Sequence, residues 1–168
     1  NNNEPGKFSD LRTPLLNATA SDSINLSFRM AAALFDLQTS DTLEIWVSTD
    51  CGAAFQRVWR KYGTDLATRP GTLNAEYIPT PNEWRQENVN LSAYAGSEKI
   101  IISFRNINNF GNNIYLDDIS ISKSSFPVRD ASIFRINSPI PVVCETAIVP
   151  DLSFVNLGKD TLKTLKIS

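Results

Sequence analysis

The 168 residues carry 16 Lys and Arg against 18 Asp and Glu, with 42% hydrophobic and 20% charged residues. Such a chain can bury a core, lacks the composition of a disordered one, and offers nucleic acid no electrostatic footprint. Histidine is absent, which excludes Ser-His-Asp and Cys-His nucleophile activation, His-Glu-x-x-His zinc sites and any imidazole general base.

Ile24, Leu26, Phe28 and Met30 alternate with Asn25, Ser27 and Arg29, which predicts a half-buried strand over residues 24–30. The longest apolar stretches, 30–35 and 140–143, are too short to span a bilayer; neither is flanked like a signal peptide, so an export signal would lie upstream of Asn1. Residues 41–49 repeat the strand period with Leu43, Ile45 and Val47 on one side and Thr42, Glu44, Trp46 and Ser48 on the other, Trp46 being the exception on a polar face. Thr49-Asp50-Cys51-Gly52 reads as a turn in which Asp50 bonds its own backbone, and 55–62 as the return strand of a hairpin. A breaker-rich loop with Pro70, Gly71, Pro79 and Pro81 spans 63–81. Next come a strand over 84–91, a turn over 92–96 and the most hydrophobic strand, 99–105. Its run of Ile100, Ile101, Ile102 and Phe104 predicts a central strand buried on both faces. No segment beyond the short apolar stretch 30–35 sustains a 3.6-residue period with caps, so the chain reads as all-β.

Residues 106–113 then supply five Asn and one Gly, a loop suited to left-handed and bulge conformations. It leads into Gly111-Asn112-Asn113-Ile114-Tyr115-Leu116-Asp117-Asp118-Ile119-Ser120-Ile121-Ser122. Ile114 and Leu116 alternate, as do Ile119 and Ile121, but the two alternations are out of phase across Asp117 and Asp118. That slip predicts a β-bulge. Adjacent carboxylates repel unless a cation or hydrogen-bond donors lie nearby. Calcium, which takes oxygens from carboxylates, carbonyls and water, is one reading. The other is two Asp at a strand end, one solvated and one bonded to loop amides. A glycosidase pair is a poorer fit, because neighbours on a strand face opposite ways whereas that chemistry needs two carboxylates flanking one bond.

Small polar residues closing on Pro127 mark a boundary, giving modules over 1–125 and 126–168. In the second, strands are expected over 131–136, 142–149, 152–156 and 162–167, with a turn at 156–160. About forty residues are too few for a self-sufficient core, so the tail either docks on the first module or opens a longer β domain. Cys51 and Cys144 lack Cys-x-x-Cys spacing, which excludes a zinc knuckle or redox motif and leaves their pairing open. With no histidine and no basic neighbour nearer in sequence than Arg57, Cys51 reads as structural. Asn17, Asn25 and Asn90 sit in Asn-x-Ser/Thr sequons.

Several blocks taken together carry a resemblance: Asp41-Thr42-Leu43-Glu44-Ile45-Trp46-Val47-Ser48-Thr49-Asp50-Cys51-Gly52, Gly63-Thr64-Asp65-Leu66-Ala67-Thr68, Trp84-Arg85, Asn90-Leu91-Ser92-Ala93-Tyr94-Ala95-Gly96, and Phe104-Arg105-Asn106 running on to the Asp pair. In this order the chain resembles the jelly-roll, cleaved-adhesin and MAM-like domains of secreted Bacteroidetes proteins, which are found beside cytophagalysin-type metallopeptidases and in surface proteins exported by the type IX system. The tail resembles the start of an Ig-like repeat. The resemblance implies an all-β, jelly-roll β-sandwich followed by a partial Ig-like β module, secreted or at the cell surface. It also implies a non-catalytic role: calcium-stabilised docking of an extracellular glycan or protein ligand, with a peptidase domain upstream in the same polypeptide, and neither a nucleic-acid partner nor a membrane span. In such modules the acidic pair near the last strand holds the metal, which maps to Asp117 and Asp118, with Asp41 as a further ligand. A purely structural spacer is the alternative. One departure is that the first recognisable segment is 8–16, where the family has an earlier strand carrying a tryptophan; losing that strand would remove a metal ligand. Among Trp46, Trp59, Tyr62, Tyr94 and Tyr115 the default role is packing, and Trp46 and Tyr115 are the candidate ligand contacts.

Overall fold

The period-two segments become nine strands among the described residues: β1 (Phe8–Arg12), β2 (Ser23–Ala32), β3 (Thr42–Ser48), β4 (Gln56–Tyr62), β5 (Arg85–Asn90), β6 (Ile101–Ile107), β7 (Ile114–Ser124), β8 (Ala131–Ser138) and β9 (Asp151–Asn156). The computed structural model describes residues 4–138 and 149–165. They fall into two units, 1–124 and 125–168. No helix among them is long and apolar enough to cross a membrane.

The first unit is a β-sandwich of antiparallel sheets. One has the order β1-β6-β3-β4 and the other β5-β2-β7. Inward-facing Leu26, Phe28 and Met30 of β2 and Val89 of β5 pack on Leu43, Ile45 and Val47 of β3 and Ile102 and Phe104 of β6. These side chains point inward because alternate positions of a strand share a face. At one open edge of the sandwich Lys61 of β4 lies on the core face, opposite Leu43. It donates to both Glu87 oxygens, at 2.6 and 2.8 Å, and Arg85 donates to Glu87 at 2.7 Å. Inward charges at an edge are one way a sheet discourages further pairing.

Sequence and structure differ at particular places. The 63–81 loop opens with a single helical turn, α1 (Gly63–Leu66). Burial on both faces belongs most fully to β3, where all but Trp46 are buried. Thr42, Glu44 and Ser48, expected on a polar outer face, are covered there, Glu44 by arginines from β4. In the second unit β8 and β9 form a two-stranded sheet, and no described residue of that unit is buried. Residues 162–165, the described part of an expected strand, form none; no ladder partner lies beside them among the described residues. The expected strand at 142–149 falls, apart from its last residue, outside the described residues, as does Cys144 and with it the question of pairing to exposed Cys51.

Candidate functional site

The Asp pair sits on a bulge. Ser27 pairs with Ser120 and Arg29 with Asp117, so Asp118 and Ile119 together oppose Phe28. Asp118 takes φ 49°, a left-handed conformation that Asp tolerates better than most residues. The Asp117 Oδ1 accepts the Asp118 N–H at 2.8 Å, and Asp118 Oδ2 lies 3.9 Å from Arg29 Nη1. Both carboxylates are exposed.

Asp41 is placed differently. It is buried just ahead of β3, where its Oδ1 accepts the backbone N–H groups of Asn109 and Gly111, both at 2.8 Å. A carboxylate satisfying two loop amides is a latch on the Asn-rich segment. Asp41, Asp117 and Asp118 are thus not drawn together in one cluster. Two face solvent, and the third uses an oxygen on amides. Among the described residues no three His, Cys, Asp or Glu side chains gather to hold a metal.

Tyr115 projects from the outer face of β5-β2-β7, but the loop before β5 covers it. Its ring packs edge-on against Tyr77 and Trp84, with centroids 6.0 and 6.5 Å apart, and its hydroxyl donates to the Tyr77 carbonyl at 2.7 Å. This ring packs under the loop and takes the default role rather than that of a ligand contact.

Trp46 belongs to a more developed surface, the outer face of β1-β6-β3-β4. Strand register aligns residues into rows across all four strands. One row is Asp10, Arg105, Glu44 and Arg60; the next is Arg12, Ser103, Trp46 and Arg57; on the other side lie Phe8, Ile107, Thr42 and Tyr62. Arg105 forks onto Asp10, Nε to Oδ1 at 2.7 Å and Nη2 to Oδ2 at 3.0 Å, and Arg12 reaches the same carboxylate at 3.0 Å. The Arg105 hydrogen bonds hold the Asp10 carboxyl below the usual carboxylate range, and Asp10 in turn raises Arg105. Buried Glu44 serves Arg57 at 2.9 Å and Arg60 at 3.3 Å while accepting Trp46 Nε1–H at 2.8 Å.

The aromatic rings are interleaved with these guanidiniums. The Arg105 guanidinium carbon is 3.9 Å from the Phe8 ring centre and 4.9 Å from that of Trp46; Arg57 lies 6.0 Å from Trp46, and Arg60 4.7 Å from Tyr62. Such contacts hold arginine side chains out along the sheet rather than letting them wander. Trp46 is thus neither bare nor covered by a loop; cations flank it. Sequence reasoning missed the arginines because Arg12, Arg57, Arg60 and Arg105 are scattered along the chain. Arg57 and Arg60 stand three positions apart, off the period of two, and share a face only because the ladder shifts register at Val58; neither that shift nor the register that aligns the rows was visible.

Neither a family model nor a curated protein matches the sequence. The chain is similar in structure to the K1 cleaved adhesin domain of Lys-gingipain (Kgp) from Porphyromonas gingivalis W83, with 21% identity and a TM-score of 0.45 over 67% of this chain and 62% of that one. It is similar also to the K3 cleaved adhesin domain of the same protein, with 20% identity and a TM-score of 0.45 over 67% and 62%. The likeness thus spans less than two thirds of each of those chains, and no residue role carries over at that identity.

Proposed function

We propose that this chain is a non-catalytic, extracellular binding module that docks a larger protein onto a ligand through the outer face of β1-β6-β3-β4. The observation carrying this reading is the set of arginine and aromatic rows on one sheet face, with Arg12, Arg57 and Arg60 each about half-exposed (50%, 47% and 45% of the side chain). Here four guanidiniums share the carboxylates of Asp10 and Glu44. Secretion, adhesion and service to a peptidase belong to the same reading and draw on the sequence resemblance.

The test is a glycan array together with immobilised collagen and fibrinogen, probed with the whole chain and with the Arg57→Ser, Arg60→Ser double variant. Binding that the double variant loses is the expected result. Silence of the intact chain on every surface would leave a spacer. The three carboxylates expected to hold calcium lie apart, Asp117 and Asp118 exposed and Asp41 on loop amides. The melting midpoint is expected to be equal in excess calcium and in excess chelator, and a midpoint that climbs with calcium would restore the metal.

A further inference from the structure

We infer that the occupant of the β1-β6-β3-β4 face is an acidic polysaccharide whose sugar rings carry carboxylates, a polyuronate. This rests on the binding reading above and adds the ligand class. Three properties of the face select it.

The first is charge. Four guanidiniums, Arg12, Arg57, Arg60 and Arg105, meet only two carboxylates, Asp10 and Glu44, within these rows. The face is cationic although the chain as a whole carries −2. A guanidinium has five N–H donors in a planar fork. The pairs to Asp10 and Glu44 use some of them, and half-exposed Arg12, Arg57 and Arg60 present the remainder outward.

The second is geometry. Arg105 grips Asp10 through two parallel N–H···O bonds, the mode in which arginine reads a planar carboxylate. In the row Asp10, Arg105, Glu44, Arg60 the signs alternate from strand to strand. Like charges therefore stand two strands apart, about 9.5 Å at ordinary strand spacing. A uronate chain carries one carboxylate per ring and so holds successive charges a sugar ring apart. A nucleic acid, with one charge per ~1.7 Å of duplex axis, would press phosphates against Asp10 and Glu44.

The third is the aromatic content. Phe8 and Tyr62 are more than half exposed, at opposite edges of the sheet and in the same row. Exposed ring edges beside half-exposed Arg12, Arg57 and Arg60 suit a pyranose carrying a carboxylate, because the sugar offers C–H groups to the ring and an anion to guanidinium donors that Asp10 and Glu44 leave over. An extended acidic peptide would instead seek the backbone donors of a sheet edge.

The experiment measures binding of the intact chain, at graded ionic strength, to alginate, with dextran, dextran sulfate, poly-glutamate and a thymidine oligonucleotide as comparators. Alginate is expected to bind best, and dextran not at all. Binding should weaken with salt. Arg57→Ser with Arg60→Ser should lower alginate affinity by at least about tenfold, the worth of one charged hydrogen-bonded pair. Because that change strips buried Glu44 of both cations and could unsettle the fold, Arg12→Ser is the second variant. It leaves Asp10 with Arg105 and should also weaken alginate while keeping the wild-type melt. Arg29→Ser, on the other sheet, should change nothing.

Dextran binding equal to alginate overturns the anionic ligand and leaves the binding reading intact. Dextran sulfate, poly-glutamate or the oligonucleotide binding more tightly overturns the uronate class. Alginate binding indifferent to both face variants overturns the location. No binding to any polymer, combined with silence on the array, removes the binding reading itself.

Discussion

Phe28→Ala is expected to destabilise the 1–124 unit by about 4 kcal/mol, the cost of removing a fully buried phenyl ring and leaving a cavity. The ring is 0% exposed and stands edge-on to Trp59 of β4 and Phe104 of β6, with centroids 5.7 and 5.3 Å away. Each such pair adds about 1 kcal/mol beyond its buried area. Because Phe28 belongs to β2 and its partners to the facing sheet, the loss falls on the contact that joins the layers. Relaxation is also hindered. The bulge places Asp118 and Ile119 opposite Phe28, with Ser27–Ser120 on one side and Arg29–Asp117 on the other, so β2 cannot slide to fill the gap without losing register. Urea unfolding should show the midpoint falling with the slope unchanged, the mark of lost stability without a new unfolded state. Phe28→Leu, which refills most of the space, should cost about 1–2 kcal/mol. A Phe28→Ala loss below about 1 kcal/mol would mean that the sheets are not held together at this ring.

The strands were legible because burial on one face imposes a period of two. Leu26, Phe28 and Met30, or Leu43, Ile45 and Val47, could hardly be arranged otherwise in a chain that must bury them. The bulge was legible for the same reason, since a phase slip between Leu116 and Ile119 has few other meanings. The fate of the carboxylates was not. Whether Asp117 meets a metal or the next amide depends on what lies across the fold, and Asp41 proved to belong to a loop almost seventy residues further on, through Asn109 and Gly111. The covered state of Tyr115 depends on the path of the loop around Tyr77, which proline and glycine positions do not determine. The arginine rows were hidden longest. Asp10 and Arg105 are 95 positions apart, and only the pairing of β1 with β6 and of β6 with β3 makes them and Glu44 neighbours.

Asp41→Ala and Gly111→Ala should each destabilise, for different reasons that a double-mutant cycle separates. Removing the Asp41 carboxylate frees the Asn109 and Gly111 amides, both partly buried, at about 3 kcal/mol for two donors that lose a charged acceptor. Asp41→Asn keeps an acceptor oxygen and should cost about 1 kcal/mol. Gly111 is tight for a steric reason. A Cβ there would lie 2.6 Å from the Asp41 backbone nitrogen, 2.8 Å from Oδ1 and 2.9 Å from Cγ. The carboxylate could swing aside; the backbone nitrogen cannot. Gly111→Ala should therefore cost about 2 kcal/mol through a forced backbone shift. In the Asp41→Ala background the side-chain part of that clash disappears while the nitrogen remains. The double variant should then fall short of the additive loss by about 1 kcal/mol, as residues in contact do. Additivity would mean that the loop is held by sterics independent of the carboxylate. If the latch acts through amides alone, the cycle should read the same with and without chelator; a coupling that appears only in calcium would put an ion at Asp41.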